Sequence, residues 1–455
     1  MNRRELLRSM GTGFGVLGFA ALAQAAAGPL APKPPHFAPR AKRVIFLFLN
    51  GGMSQVDTFD PKPVLDKRHG EPMPGPKIKT DRASGNLMRS PFRFSRCGQS
   101  GLEVSEIFPH VGKRIDDFCL IRSMYSDNGN HGPSLLMSNC GHNLPGRPSM
   151  GSWLTYGLGT ENQNLPGFIA LCPGHPVLGA QLWDSAFLPS THQGAYVANN
   201  ERDPSKLVRN IRNAEVSRAG QERQLALLDK LNRAYLARNG SQPQLEASIA
   251  AMEVAFRMQI EAPEVFDIGR ETESTRARYG ESDFGRGCLM ALRLAERGVR
   301  MVQVYFGNFQ PWDSHDDIRV HARLAAEADG PIAALVDDLK SRGLFDDTLL
   351  IVGTEFGRTP MIQNSGLEKL CNGRDHNVHG WTTLLAGGGV KGGMAYGATD
   401  EFGFKAQENP VHVHDFHATV LHLLGLDHEK LTYRYSGRDW RLTDVAGRVV
   451  REIIA

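Results

Sequence analysis

The feature that most narrows the fold is a set of apolar runs too continuous for strands that are wet on one side. Val44-Ile45-Phe46-Leu47-Phe48-Leu49 is apolar at both alternations and stops at Asn50-Gly51-Gly52. Successive side chains of a strand point to opposite faces, so such a run must be covered on both, as in a parallel sheet with helices above and below. Similar runs recur at 118–121, 168–171, 299–306, 348–352 and 382–386, the last leading into Gly387-Gly388-Gly389. Helical patterns lie between them, notably over 318–341 and 413–424. The alternation predicts an α/β fold with a mostly parallel central sheet flanked by helices. Residues 203–295 differ in character. They are charged, carry Leu225, Leu228, Leu231 and Tyr235 at helical spacing, and break at Gly240-Ser241-Gln242-Pro243. They read as a helical insertion beside the sheet.

The N-terminus addresses the chain elsewhere. Arg3 and Arg4 precede a charge-free, Gly- and Ala-rich stretch from Ser9 to Gly28, with small-residue cleavage sites at Ala21-Leu22-Ala23 and Ala25-Ala26-Ala27. That order predicts a signal peptide over 1–27, and the arginine pair assigns it to twin-arginine export. The implied partner is the twin-arginine export machinery, and the mature protein is expected in the periplasm or secreted, with no stable membrane insertion after cleavage. An uncleaved anchor is the alternative, since about 18 apolar residues just suffice to span a bilayer. Residues 28–41, with Pro29, Pro32, Pro34, Pro35 and Pro39, read as an extended Pro-rich linker that has little to pack against a core. The remaining domain runs over 42–455. Lys plus Arg number 52 against 49 for Asp plus Glu, without like-charge runs, so nothing argues for nucleic acid. The six cysteines lack CxxC spacing, which excludes a zinc ribbon and a dense disulfide frame.

In open α/β sheets function gathers at the carboxyl ends of the strands, and there the polar residues are telling. Asn50, Ser54 and Asp57 follow the first run; Trp312, Asp313, Ser314 and His315 follow 299–306; Thr354, Glu355 and Arg358 follow 348–352; Asp375, His376 and His379 precede 382–386. In an extended segment residues two apart point the same way, so Asp313 and His315 could meet one ion. His376 and His379 can add imidazoles. An oxygen and nitrogen donor set without thiolates suits zinc, with manganese or calcium as alternatives.

These residues occur within an ordered series: Leu49-Asn50-Gly51-Gly52, Asp57-Thr58-Phe59-Asp60, Asn130-His131-Gly132, Pro148-Ser149-x-Gly151-Ser152-Trp153, Trp312-Asp313-x-His315, Thr354-Glu355-Phe356-Gly357-Arg358-Thr359-Pro360, Asp375-His376 and Ala386-Gly387-Gly388-Gly389. The series resembles an exported bacterial family, domain of unknown function 1501, a sulfatase-like branch of the alkaline phosphatase superfamily. The segment from Asp415 to Asp427 with Gly437-Arg438 resembles it as well. The resemblance implies an alkaline-phosphatase-like fold. It places a first-strand carboxylate at Asn50 and the Asp-His pair of a second metal at Glu355 and Phe356, where the imidazole is lost. The first metal's Asp and His resemble Asp313 and His315, and the last His resembles His376 or His379. The nucleophile segment falls on His131-Gly132-Pro133-Ser134-Leu135, which lacks the Cys or Ser and the Arg of a formylglycine sulfatase.

The resulting expectation is a metal-dependent hydrolase of a sulfate or phosphate ester, or a related bond, acting on a small-molecule or polysaccharide substrate without the usual formylglycine or Ser nucleophile. Asp313, His315, His376 and His379 would hold the metal, with Asn50 and Glu355 lining a second, weaker site or bonding substrate. His131 would serve as base, nucleophile or further ligand. Arg358 is the candidate for binding the tetrahedral anion, or it pairs with a local carboxylate. The rival is a non-catalytic binding protein that keeps the fold and part of the metal site.

Overall fold

The structure, a computed structural model, describes residues 30–75, 80–204, 206–208, 215–240, 242–364 and 370–455. The signal peptide expected over 1–27 lies outside them. Twelve strands matter for the site: β1 (Arg43–Phe48), β2 (Ser84–Leu87), β3 (Phe118–Tyr125), β4 (Phe168–Leu171), β5 (Ala195–Val197), β6 (Met301–Tyr305), β7 (Thr348–Gly353), β8 (Gly357–Asn364), β9 (Leu370–Asn377), β10 (Trp381–Ala386), β11 (Met394–Tyr396) and β12 (Val411–His412). The helices of nine residues or more are α1 (His131–Cys140), α2 (Met150–Leu158), α3 (Arg218–Asn239), α4 (Pro243–Val265), α5 (Asp283–Glu296), α6 (Val320–Ser341) and α7 (Val413–Leu423) among the described residues.

β1 is buried at all six positions and lies between β6 and β7, parallel to both. Its alternate side chains enter two different apolar clusters, Ile45 and Leu47 on one face, Val44, Phe46 and Phe48 on the other. That two-sided burial is what an uninterrupted apolar run demands. The nine-stranded sheet runs β11-β3-β10-β7-β1-β6-β4-β5, with β12 also paired to β3. Every neighbour pairing is parallel except those of β10, which runs against both β7 and β3. The sheet is thus mostly parallel, as expected.

A second, three-stranded antiparallel sheet, β9-β8-β2, was not foreseen. Only three residues separate its central strand β8 from the end of β7, so it stands at the carboxyl edge of the main sheet.

Residues 30–41 also depart from the linker reading. The amides of Lys33, His36, Arg40 and Ala41 donate to the carbonyls of Leu158, Gly425, Leu423 and Leu423, and Leu30 is buried. The prolines keep the segment extended, while the non-proline amides between them fasten it to the body. Within 203–295, α5 covers the sheet, burying Phe284, Leu289, Met290 and Leu292. α3 and α4 form a hairpin, and none of the residues of α3 is buried.

Candidate metal centre

The site is assembled from the carboxyl ends of β1, β3, β6 and β7, joined by β9. α1 starts just past β3. Asn130 caps it by accepting from the Gly132 amide, which sets His131 at the first helical position. The Trp312-Asp313-Ser314-His315 segment follows β6 and is pinned from two sides. Gly51 has φ 122°, and a Cβ there would lie 2.6 Å from the Asp313 amide nitrogen. A Cβ on Gly373 would overlap the His315 carbonyl, so β9 also presses on this segment through a glycine.

Nδ1 of His131 lies 2.8 Å from Glu355 Oε1, Nδ1 of His315 contacts Gln363 Oε1, and Nδ1 of His376 lies 2.8 Å from the Gly129 carbonyl and 3.2 Å from Asp81 Oδ2. Each Nδ1 therefore donates to an acceptor, which fixes the tautomer and leaves Nε2 as the free lone pair. All three Nε2 atoms face the Asp313 carboxylate. His315 and His376 are 2.8 Å and 3.2 Å from Oδ1, and His131 is 3.3 Å from Oδ2. Nε2 of His131 is buried and has no hydrogen-bond partner. Nε2 of His315 and Nε2 of His376 are 3.0 Å apart. Two lone pairs cannot face each other at that distance without a positive charge between them, a proton or a metal ion.

One potential ligand atom from each of His131, Asp313, His315 and His376 lies within 4.8 Å of the others, so the four form a group that can hold a metal ion. Ligand bonds of about 2.0–2.2 Å in a tetrahedron give edges of roughly 3.3–3.6 Å. The separations among Asp313 Oδ1 and the Nε2 atoms of His315 and His376, 2.8, 3.0 and 3.2 Å, are slightly tighter than those edges. Burial alone would raise the Asp313 carboxyl. The three imidazoles and the Arg358 charge instead hold it far below the usual carboxylate range. Burial lowers the His131 imidazole, but Asp313 and Glu355 outweigh it and the net shift is upward; for His376 burial prevails and the shift is downward.

The other expected residues lie close by in different roles. The Asn50 amide nitrogen donates to the Gly307 and Phe309 carbonyls and its oxygen accepts from the Gly307 amide, so Asn50 ties down the loop after β6 and presents nothing to a metal. Glu355 is fully buried and accepts from the Gly51 amide, the Thr354 hydroxyl and His131. It positions His131. Arg358 is 0% exposed; it donates to the carbonyls of Gly52, Gly51, Trp312 and Arg374 and lies 2.6 Å from Asp313 Oδ1. Those partners occupy its planar edge, which corrects the anion-binding expectation: a guanidinium sealed in this way has no face for substrate. His379 stands outside the four. Its ring packs on Phe404 and, with His376, Asp81 and Thr80, it lines a cavity of about 150 Å³. It sits in the short connection between β9 and β10.

Asp81, Gly129 and Gln363 had no sequence signal, because they meet the histidines only across strand and loop pairings. The buried ion pair of Asp57 with Arg374, 2.7 Å, was likewise invisible, although Asp57 stood among the residues after β1. Arg374 also accepts no solvent contact, donating to the Met88, Arg89 and Thr359 carbonyls. No Ser or Thr hydroxyl or Cys thiol among the described residues hydrogen-bonds to any of the four. The thiols of Cys119 and Cys172 are pushed up to about 12 by burial, and that of Cys140 rises for the same reason. None is a ready nucleophile.

A family model described as protein of unknown function (DUF1501) matches residues 41–454. None of the curated proteins matches. Among solved structures, the lipoteichoic acid synthase LtaP from Listeria monocytogenes is 10% identical, covering 91% of this chain and 78% of its own, with a TM-score of 0.37. The PsFucS1 sulfatase from Pseudoalteromonas sp. is 13% identical over 86% of this chain and 69% of its own, with a TM-score of 0.34. The phosphonate monoester hydrolase SpPMH from Silicibacter pomeroyi is 13% identical over 76% and 71%, at 0.36.

Proposed function

The chain belongs to the family described as protein of unknown function DUF1501, and on that premise we propose that it is a divalent-metal-dependent hydrolase of a sulfate or phosphate ester, or a related bond, working outside the cytoplasm. The observation that carries the reading is the convergence of three Nε2 atoms, their Nδ1 partners already satisfied, on one carboxylate. His131, Asp313, His315 and His376 would hold the ion, and the orphaned Nε2 of His131 fits that role. Three imidazoles and a carboxylate suit zinc; calcium, which takes oxygen ligands, is disfavoured by the same set. When bound, such an ion polarises the ester oxygen and stabilises the charge that develops there.

The chain's own groups prepare that chemistry. Glu355, Gln363 and the Gly129 carbonyl hold the Nδ1 protons in place and aim the rings. Arg358 neutralises one edge of Asp313 and joins it to the turn after β1. Among the described residues no Ser or Thr hydroxyl or Cys thiol hydrogen-bonds to the four, which supports attack by water over attack by a serine or cysteine nucleophile.

Metal content is measured on mature protein purified without chelator, followed by assays on aryl sulfate, aryl phosphate and an aryl phosphonate monoester. About one zinc per chain, with hydrolysis removed by chelation and restored by zinc, is the expected result. Failure to bind zinc at neutral pH would refute the proposal. The sealed guanidinium of Arg358 favours a second reading, a binding protein that keeps the metal without turnover. Zinc bound tightly with no hydrolysis of any of the three substrates would select it.

A further inference from the structure

Two loops, over 172–178 and 306–311, continue past the carboxyl ends of β4 and β6 and stay joined to each other. The Phe309 amide donates to the His175 carbonyl at 3.0 Å, the His175 amide donates to Asn308 Oδ1 at 2.9 Å, and Pro176 and Phe309 form a parallel bridge. Among the described residues six that are not glycine have positive φ: Leu178, Ala186, Phe309, Asn409, Ser436 and Asp444. Asn and Asp accept that conformation readily, whereas a bulky side chain there is a true outlier. The two bulky ones, Leu178 at 72° and Phe309 at 53°, both lie on these paired loops.

Both loops border the metal centre. A Cβ on Gly132, the residue after His131, would lie 3.8 Å from the Leu178 side chain. The Asp313 amide donates to the Gln310 carbonyl at 3.0 Å. Such a turn brings its ends within about 7 Å, so the Phe309 and Asp313 Cα atoms are at most ~11 Å apart. The buried Asn50 amide holds the Phe309 carbonyl. Bonds on both sides of Phe309 thus maintain its strained backbone, while its ring is 66% exposed and belongs to none of the apolar clusters. Strain kept where the side chain gives little to folding points to a use for that side chain. We propose that Phe309 is a specificity residue whose phenyl covers the apolar face of a ring on the alcohol part of the ester, an aryl group or a sugar. The inference rests on the metal-dependent ester hydrolase reading and adds to it the class of alcohol that the ester carries.

Zinc content is measured on the mature protein, and calorimetry on the zinc-loaded form gives dissociation constants for probes that are not hydrolysed: methylphosphonate, phenylphosphonate and the methylene-phosphonate analogue of glucose 6-phosphate. The wild type is expected to prefer at least one ring-bearing probe over methylphosphonate by about tenfold, and Phe309→Ala to bring that preference within about threefold, while Phe309→Tyr keeps it. Phe309→Gly takes φ 53° without strain, so it should lose the preference in the same way and melt no lower than the wild type, which guards against a misfolded alanine variant. Loss on the phenyl probe alone assigns an aryl ring, loss on the sugar probe alone a sugar, and loss on both the shared ring face. With zinc bound, a wild type that prefers neither ring overturns the inference alone, as does a preference that survives in both Phe309→Ala and Phe309→Gly. Failure to bind zinc instead refutes the reading of the metal centre, and the inference with it.

Discussion

Glu355→Gln separates positioning from ligation. Glu355 is fully buried, touches no solvent and holds His131 Nδ1 at 2.8 Å. Its two oxygens also accept from the Gly51 amide and the Thr354 hydroxyl, so the carboxylate faces donors only. Glutamine has the same shape. Its oxygen can keep the His131 and Gly51 contacts, but its NH2 group then faces the Gly51 amide or the Thr354 hydroxyl, donor against donor. The imidazole also loses the negative charge that raises its basicity as a ligand. Removing such an outer partner typically costs 10- to 100-fold in metal affinity, about 1.4–2.7 kcal/mol. Zinc affinity is read by competition with a chromophoric chelator, and the melting temperature of the metal-free protein reports whether the fold survives. The expected outcome is a folded variant that binds zinc about 10- to 100-fold more weakly. A folded variant whose affinity stays within about threefold of the wild type would refute the reasoning, because Glu355 would then not act through His131 on an ion at all.

His131→Ala should lower metal content together with activity; full zinc occupancy with all turnover lost would instead make His131 a direct participant. Asp57→Asn leaves Arg374 buried beside a neutral partner and should cost about 3–5 kcal/mol in urea unfolding, with no change contradicting the role of the pair. Burial would raise the Asp57 carboxyl, but Arg374, Ser54 and Ser90 hold it below its ordinary value. Its contribution is therefore complete above the unfolded carboxylate pKa of about 3.9 and fades as pH falls through the lower folded value, so the wild type should lose its advantage over Asp57→Asn in acid titrations of stability. Replacing Arg3 and Arg4 together by Lys should block export, and periplasmic wild-type protein should begin shortly after residue 23 or 27; Met1 retained on that material would contradict cleavage.

What could be read from the sequence and what could not divides along physical lines. Asp313 and His315 come together because alternation in an extended segment is a local rule, and the two-sided apolar runs became buried parallel strands for an equally local reason. The partners of the imidazoles follow no local rule. Gln363 reaches His315 from β8, and Gly129 and Asp81 reach His376 from loops separated from it by 247 and 295 positions. The register irregularities between β8 and β9 add a further displacement that no spacing encodes. The resemblance put Asn50 at a ligand position, and Arg358 was read as an anion binder or as the partner of a local carboxylate, of which the structure shows the second, with Asp313. The backbone claims them here: a turn forced against the Trp312-Asp313 peptide at Gly51 leaves carbonyls that must be bonded, and these two side chains bond them.

The same accounting bears on how many ions the site can hold. A second ion would need donors at Asn50, Glu355 and position 356. Asn50 is turned to the 307–309 carbonyls, and both oxygens of Glu355 are engaged. Phe356 is buried with its ring 4.8 Å from that of His131 and 4.5 Å from that of His376. An aromatic ring packed against both imidazoles fills space beside them and supplies no ligand, so it braces two of the side chains proposed to hold the ion and offers no donor to a second. Where the resemblance would set an imidazole at 356 a phenyl ring stands, and the nitrogen donors that the structure does bring together are those of His131, His315 and His376 around Asp313.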